Sequence, residues 1–121
     1  MKTTTAINWF EIPVTNMERA KQFYNSIFSL KLQNLEMGGN EFAFFPDAMS
    51  GGALAKGEGY VPSQTGSLCY LNGGKDLNGV LEKIEGAGGK VILPKTSIGE
   101  HGFIARFIDS EENMVALHSQ N

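Results

Sequence analysis

Few side chains in this 121-residue sequence are placed to do acid–base or binding chemistry. Glu11 is the most unusual, standing in the apolar run Trp9–Phe10–Glu11–Ile12. Strand alternation sets Trp9, Glu11 and Pro13 on one face and Phe10, Ile12 and Val14 on the other. With the Phe10 face packed under a helix, Glu11 looks away from the core. There a carboxylate can act as a base or anchor a cationic group. The competing reading is a solvated edge carboxylate, or one paired with an arginine such as Arg106. His118 shares a strand face with Ala116 and Met114, and an imidazole titrating near about 6.5 can transfer protons at neutral pH. Its place three residues from the end of the sequence equally suits a structural histidine. His101 sits between glycines just before a strand. Glu100, His101 and Glu11 would supply donors for an irregular metal site only if the fold made them converge, which their spacing does not require. Cys69 is alone, with no second thiol for a CxxC pair, and reads as a small buried hydrophobe. The glycine pairs at 38–39, 51–52, 73–74 and 88–89 are turns, since none lies in a GxGxxG pattern between strand and helix.

The elements that must position these groups follow from apolar spacing. Residues 6–14 suit a strand, with Pro13 at its edge because proline cannot donate a ladder hydrogen bond. Thr15 or Asn16 can cap a helix over about 16–28. Met17, Ala20, Phe23, Tyr24 and Ile27 make its apolar stripe, while Glu18, Arg19, Lys21 and Gln22 fill the wet face. Leu30–Leu35, Glu41–Phe45 and Gly51–Lys56 are extended, with a break at Pro46–Asp47. Residues 57–66 have no periodicity and read as an open loop. Ser67–Leu71 is then a strand, and Asp76 caps a second helix over about 76–87 with the stripe Leu77, Val80, Leu81 and Ile84. Glycines 86, 88 and 89 end it. Lys90–Leu93, Phe103–Ile108 and Met114–His118 are the last strands.

The order strand–helix–strand–strand–strand thus occurs twice. It predicts an α+β fold of two equal modules: module one about 5–56, a linker about 57–66, and module two about 67–119. One ferredoxin-like domain with extra strands is the alternative.

Composition narrows the function classes. Ten basic and thirteen acidic residues give a formal charge of −3, with no basic run. That argues against nucleic acid or an anionic membrane as partner. No apolar run approaches the roughly 18 residues of a membrane span, and MKTTTAINWF lacks a signal-peptide core. A cytoplasmic, single-domain protein is expected.

Three segments carry a family resemblance: Phe10–Tyr24, Lys83–Val91 and Phe107–His118. In this order and at these separations they resemble the vicinal-oxygen-chelate superfamily of glyoxalases, bleomycin-resistance proteins and extradiol dioxygenases. The resemblance implies paired βαβββ modules whose mixed sheets curl around a cleft, and a homodimer. It also implies a divalent-metal site on the first and last strands of the modules. Carried over, those positions are Trp9 and Ala116, with Cys69 on the opening strand of module two and the region of Leu54 on the last strand of module one. Trp9 and Ala116 are not ligands for such an ion, so the reading assigns no metal and no cofactor. The expected function is binding of an unidentified small molecule, in a cleft bordered by Trp9, Glu11, Tyr70, Arg106 and His118. The alternative is a glyoxalase-like lyase or isomerase acting on a small carbonyl compound, with Glu11 as base and His118 as a second candidate catalytic group.

Overall fold

Met17, Ala20, Phe23, Tyr24 and Ile27 are all buried, so the apolar stripe read from the sequence is the face on which helix α1 (Met17–Phe28) docks. The structure, a computed structural model, describes residues 6–46 and 51–121. Thr5 and Asp47, named above at the start of module one and in its break, lie outside the described residues. Asn16 caps α1 by accepting a hydrogen bond from the Arg19 amide at 3.0 Å. The helix stops at Ser29, which adopts a left-handed conformation at φ 55°. The Asn25 side chain then accepts from the Leu32 amide at 2.9 Å and turns the chain back toward the sheet.

Module one comprises β1 (Phe10–Pro13), α1, β2 (Gln33–Met37), β3 (Asn40–Phe44) and β4 (Gly52–Lys56). Module two repeats the order with β5 (Tyr70–Asn72), α2 (Asn78–Leu81), β6 (Lys90–Ser97), β7 (Phe103–Ile108) and β8 (Met114–Ser119). Each forms a mixed four-stranded sheet, ordered β1-β4-β3-β2 and β5-β8-β7-β6. β1 runs parallel to β4 and β5 parallel to β8, while the remaining pairs are antiparallel. The repeated connectivity is the two-module α+β arrangement, and a single four-stranded sheet is ruled out.

The second helix is much shorter than the expected 76–87. Only Asn78–Leu81 is α-helical; beyond it, Lys83 bonds back to Val80 and Ile84 to Leu81, three residues away. Gly79 inside the segment weakens the helix, and the tighter i to i+3 turns complete it. The apolar stripe still works, because Leu77 and Ile84 are fully buried.

One core joins the modules. Ile12, Val14 and Leu54 from the first sheet and Leu71, Ala105, Phe107, Val115 and Leu117 from the second pack with the α1 stripe in a single cluster. Burying each large apolar side chain contributes roughly 1.5–3 kcal/mol. A polar latch locks the modules together. Asp109 Oδ2 accepts from the Tyr24 hydroxyl at 2.7 Å, inside the core. Glu111 Oε1 accepts from the Thr15 and Asn16 amides, each at 2.9 Å, and its Oε2 accepts from Arg19 Nε at 2.6 Å. Asn113 Nδ2 donates to the Pro13 carbonyl at 2.8 Å, which pins the end of β1. Among the described residues no helix is long and apolar enough to cross a membrane.

Candidate functional site

Ile12, Val14, Ala43 and Leu54 commit one face of the first sheet to the core, so the alternate residues turn away from it. The register sets Glu11, Ala53 and Phe44 in one row across β1, β4 and β3, and Pro13, Ala55 and Phe42 in the next. Trp9 extends the face beyond the start of β1.

Five side chains close into a ring on this face. Glu11 Oε1 accepts from the Tyr60 hydroxyl at 2.8 Å, and Glu11 Oε2 lies 3.4 Å from Trp9 Nε1–H. The Trp9 ring meets Phe44 edge-on with centroids 5.9 Å apart. Phe44 lies parallel to Phe42 at 6.2 Å, and Phe42 meets Tyr60 edge-on at 6.3 Å. Ala53 and Ala55 pack with Phe42, Phe44 and Tyr60 at the base of the ring. The hydrogen bond to Glu11 raises the pKa of the Tyr60 hydroxyl above its ordinary value, with desolvation and the Glu11 charge acting in the same direction. None of the ion pairs among the described residues involves Glu11.

The equivalent row of the second sheet is Tyr70, Ala116 and Arg106. The small Ala116 separates the two larger residues, and Arg106 is exposed and without an ion pair among the described residues. His118 follows two residues along β8, between Asn72 and Ile104. Its Nε2–H donates to the His101 carbonyl at 2.6 Å.

The family description "Glyoxalase/Bleomycin resistance protein/Dioxygenase superfamily" matches residues 6–117. The chain belongs to this superfamily. A glyoxylase-like domain-containing protein from Didymella fabae is 30% identical over 117 residues, spanning 92% of this chain and 91% of that one. The Mycobacterium tuberculosis protein CFP32 is 25% identical over 122 residues, covering 94% of this chain. The chain spans about half the length of that relative, 45%. In three dimensions the crystal structure of TnmS3, an antibiotic binding protein from Streptomyces sp. CB03234, superposes with a TM-score of 0.68 at 20% identity over the whole of both chains.

Within the superfamily fold, the sequence-derived site residues fall into two groups. Trp9 and Glu11 touch each other on the first sheet, while Tyr70, Arg106 and His118 share a face of the second. Among the described residues no hydrogen bond or ion pair joins the groups, and the suggested Glu11–Arg106 pair is not formed. At two carried-over positions the structure fixes which residue faces outward. Cys69 packs against the core cluster and precedes β5, where Tyr70 turns outward; burial also pushes its thiol pKa up, which makes it a poor nucleophile. Leu54 is core, and the outward residues of β4 are Ala53 and Ala55. His101 is exposed and contributes its backbone carbonyl, which also accepts from Gln120 Nε2 at 3.3 Å. Among the described residues no three His, Cys, Asp or Glu side chains are grouped to hold a metal ion.

Sequence reasoning missed Tyr60, Phe42 and Phe44. The alternation of Phe42 and Phe44 within an aromatic-rich strand was a usable signal. Tyr60 gave none, because it lies in the aperiodic loop between the modules.

Proposed function

We propose that this superfamily member is a small-molecule-binding protein of the glyoxalase/bleomycin-resistance type, working without the divalent ion used by many of its relatives. The observation that carries this reading is the donor set at Glu11. That carboxylate is bonded to Tyr60 and Trp9, and its row across the sheet continues through Ala53 and Phe44. The matching row on the second sheet offers Tyr70, Ala116 and Arg106. One carboxylate among alanines, aromatics and an arginine, with the one imidazole, His118, bonded through Nε2–H to the His101 carbonyl, does not fit a divalent ion, which needs several oxygen, nitrogen or thiolate donors converging. The same set suits a binding surface, with apolar area from the rings and orientation from a few polar groups. The antibiotic binding of TnmS3 supports this reading for a chain of the same fold. Trp9, Glu11, Tyr70, Arg106 and His118 border the proposed cleft, with Tyr60 added.

Metal content of the purified protein, followed by assays with zinc, nickel, manganese and iron added singly, tests the reading. Stoichiometric metal with metal-dependent turnover of a small carbonyl compound would overturn it. A homodimer is part of the proposal, and sedimentation equilibrium should return about twice the 13.1 kDa chain mass. A single monomer-mass species at micromolar concentration would reject a stable dimer.

A further inference from the structure

The ring around Glu11 has a chemical character beyond general apolarity. Its four aromatic members contact one another in turn, with Trp9 edge-on to Phe44 and Tyr60 edge-on to Phe42, and its fifth member is a carboxylate with no cation partner among the described residues. The outward positions of this sheet are Glu11, Pro13, Gln33, Leu35, Met37, Asn40, and then Phe42, Phe44, Ala53 and Ala55. None is Lys, Arg or His, so nothing on the sheet face neutralises the charge. Ala53 and Ala55 are fully buried beneath the rings, so the accessible part of the ring is its rim, where Trp9 and Glu11 are exposed. Trp9 is half exposed at 49%, so the ring opens to solvent.

A strongly hydrated cation such as sodium gains little from such a site, because aromatic edges and faces do not replace its water. A weakly hydrated organic cation loses little on leaving water and gains from both the ring quadrupoles and the carboxylate. Glu11 is held by two donors, which fixes the carboxylate while leaving its charge uncompensated. We propose that the Trp9–Phe44–Phe42–Tyr60–Glu11 ring, with Ala53 and Ala55 beneath it, is a subsite for an alkylated ammonium group on the ligand. This deepens the binding-protein reading and rests on it. It gives the ligand a class: an organic molecule carrying a tertiary or quaternary amine.

Trp9 is the single tryptophan of the chain, so its fluorescence reports on the subsite directly. The probe is benzyltrimethylammonium chloride, titrated against a constant chloride background. The expected result is saturable quenching with a Kd on the order of a millimolar. Choline should compete with the probe, and its neutral isostere 3,3-dimethyl-1-butanol should not. Glu11→Gln should weaken probe binding about tenfold. Tyr60→Phe, which frees Glu11 to turn, should weaken it less, and Glu36→Gln, on the other side of β2, should leave it unchanged. Circular dichroism checks that each variant is folded. No saturable quenching, equal competition by the neutral alcohol, or full affinity in folded Glu11→Gln would each overturn the subsite. The broader reading fails separately: it survives if neutral aromatic compounds still quench Trp9 saturably, and falls if turnover proves metal-dependent.

Discussion

Glu111 reaches back to the start of the first helix, where its Oε1 accepts from the Thr15 amide at 2.9 Å, and so ties the last turn of module two to module one. The same side chain accepts from the Asn16 amide and from Arg19. It satisfies amide groups at a helix start that would otherwise lack partners, and its charge complements the positive end of the helix dipole. With the Tyr24–Asp109 and Asn113–Pro13 bonds and the shared core, this contact holds the modules together.

Replacing Glu111 by Gln should destabilise the protein by about 2–3 kcal/mol at neutral pH, since charge-assisted bonds to Arg19 and the amides are lost. The contribution has a defined pH dependence. Burial opposes ionisation of Glu111, but the hydrogen bonds from Arg19, Asn16 and Thr15 outweigh it and lower its pKa from 4.5 to about 2. A depressed carboxyl stabilises the fold above its unfolded pKa, and this is lost as pH falls through the folded value. The gap in stability between the native protein and Glu111→Gln should therefore be full at pH 6 and narrow from about pH 4.5 downward. Urea unfolding across that range measures it, and a gap that stays constant to pH 3 would contradict the assignment.

Tyr24→Phe removes the hydroxyl that donates to Asp109 within the core. Burial pushes the Asp109 pKa up, opposed by bonds from Tyr24, Asn113 and Glu111. With the hydroxyl gone, Asp109 keeps its backbone donors but loses a buried partner. A cost of about 1–2 kcal/mol is expected by chemical denaturation. The loss should be larger at pH 8 than at pH 4, because a carboxyl held above its unfolded pKa costs stability only once it ionises.

Gly89 lies where module two touches the α1 stripe. A Cβ there would approach the Ile108 carbonyl oxygen to 2.6 Å and the Phe23 ring to 2.8 Å. Phe23 is 1% exposed and has no room to yield. Gly89→Ala should cost about 1–3 kcal/mol by overpacking, visible as a lowered Tm. Gly86→Ala, three residues earlier and open to solvent, should shift Tm far less and serves as the control.

Cys69 packs against the core, and burial raises its thiol pKa. Its alkylation by iodoacetamide at pH 7.5 should run about tenfold slower than that of a free thiol, and the rates should converge on unfolding in urea. Rapid native-state labelling would show the position to be open.

Much of the architecture was legible because it rests on periodicity. The α1 stripe, a cap at Thr15 or Asn16 and the alternation of Ile12 against Glu11 are local, and apolar residues at helical or strand spacing have one economical way to leave water. The twofold element order followed from the same signals. The candidate site was only half legible. Glu11 and Trp9 declare themselves as polar and semi-polar residues on the outward side of a strand. Tyr60 does not, because a loop residue's direction is set by where the chain is carried. Which residue near Leu54 and Cys69 turns outward was not legible for a related reason: a shift of one residue in a strand exchanges core for surface, and only the ladder between β1 and β4, or β5 and β8, fixes which residues share a face. The sequence by itself thus determined the modules, the helix stripe and the outward carboxylate. Tertiary structure decided what surrounds that carboxylate, because Trp9, the Phe42–Phe44 pair of β3 and Tyr60 come from three separate stretches of chain and meet only when strand register and the path of the loop are set together.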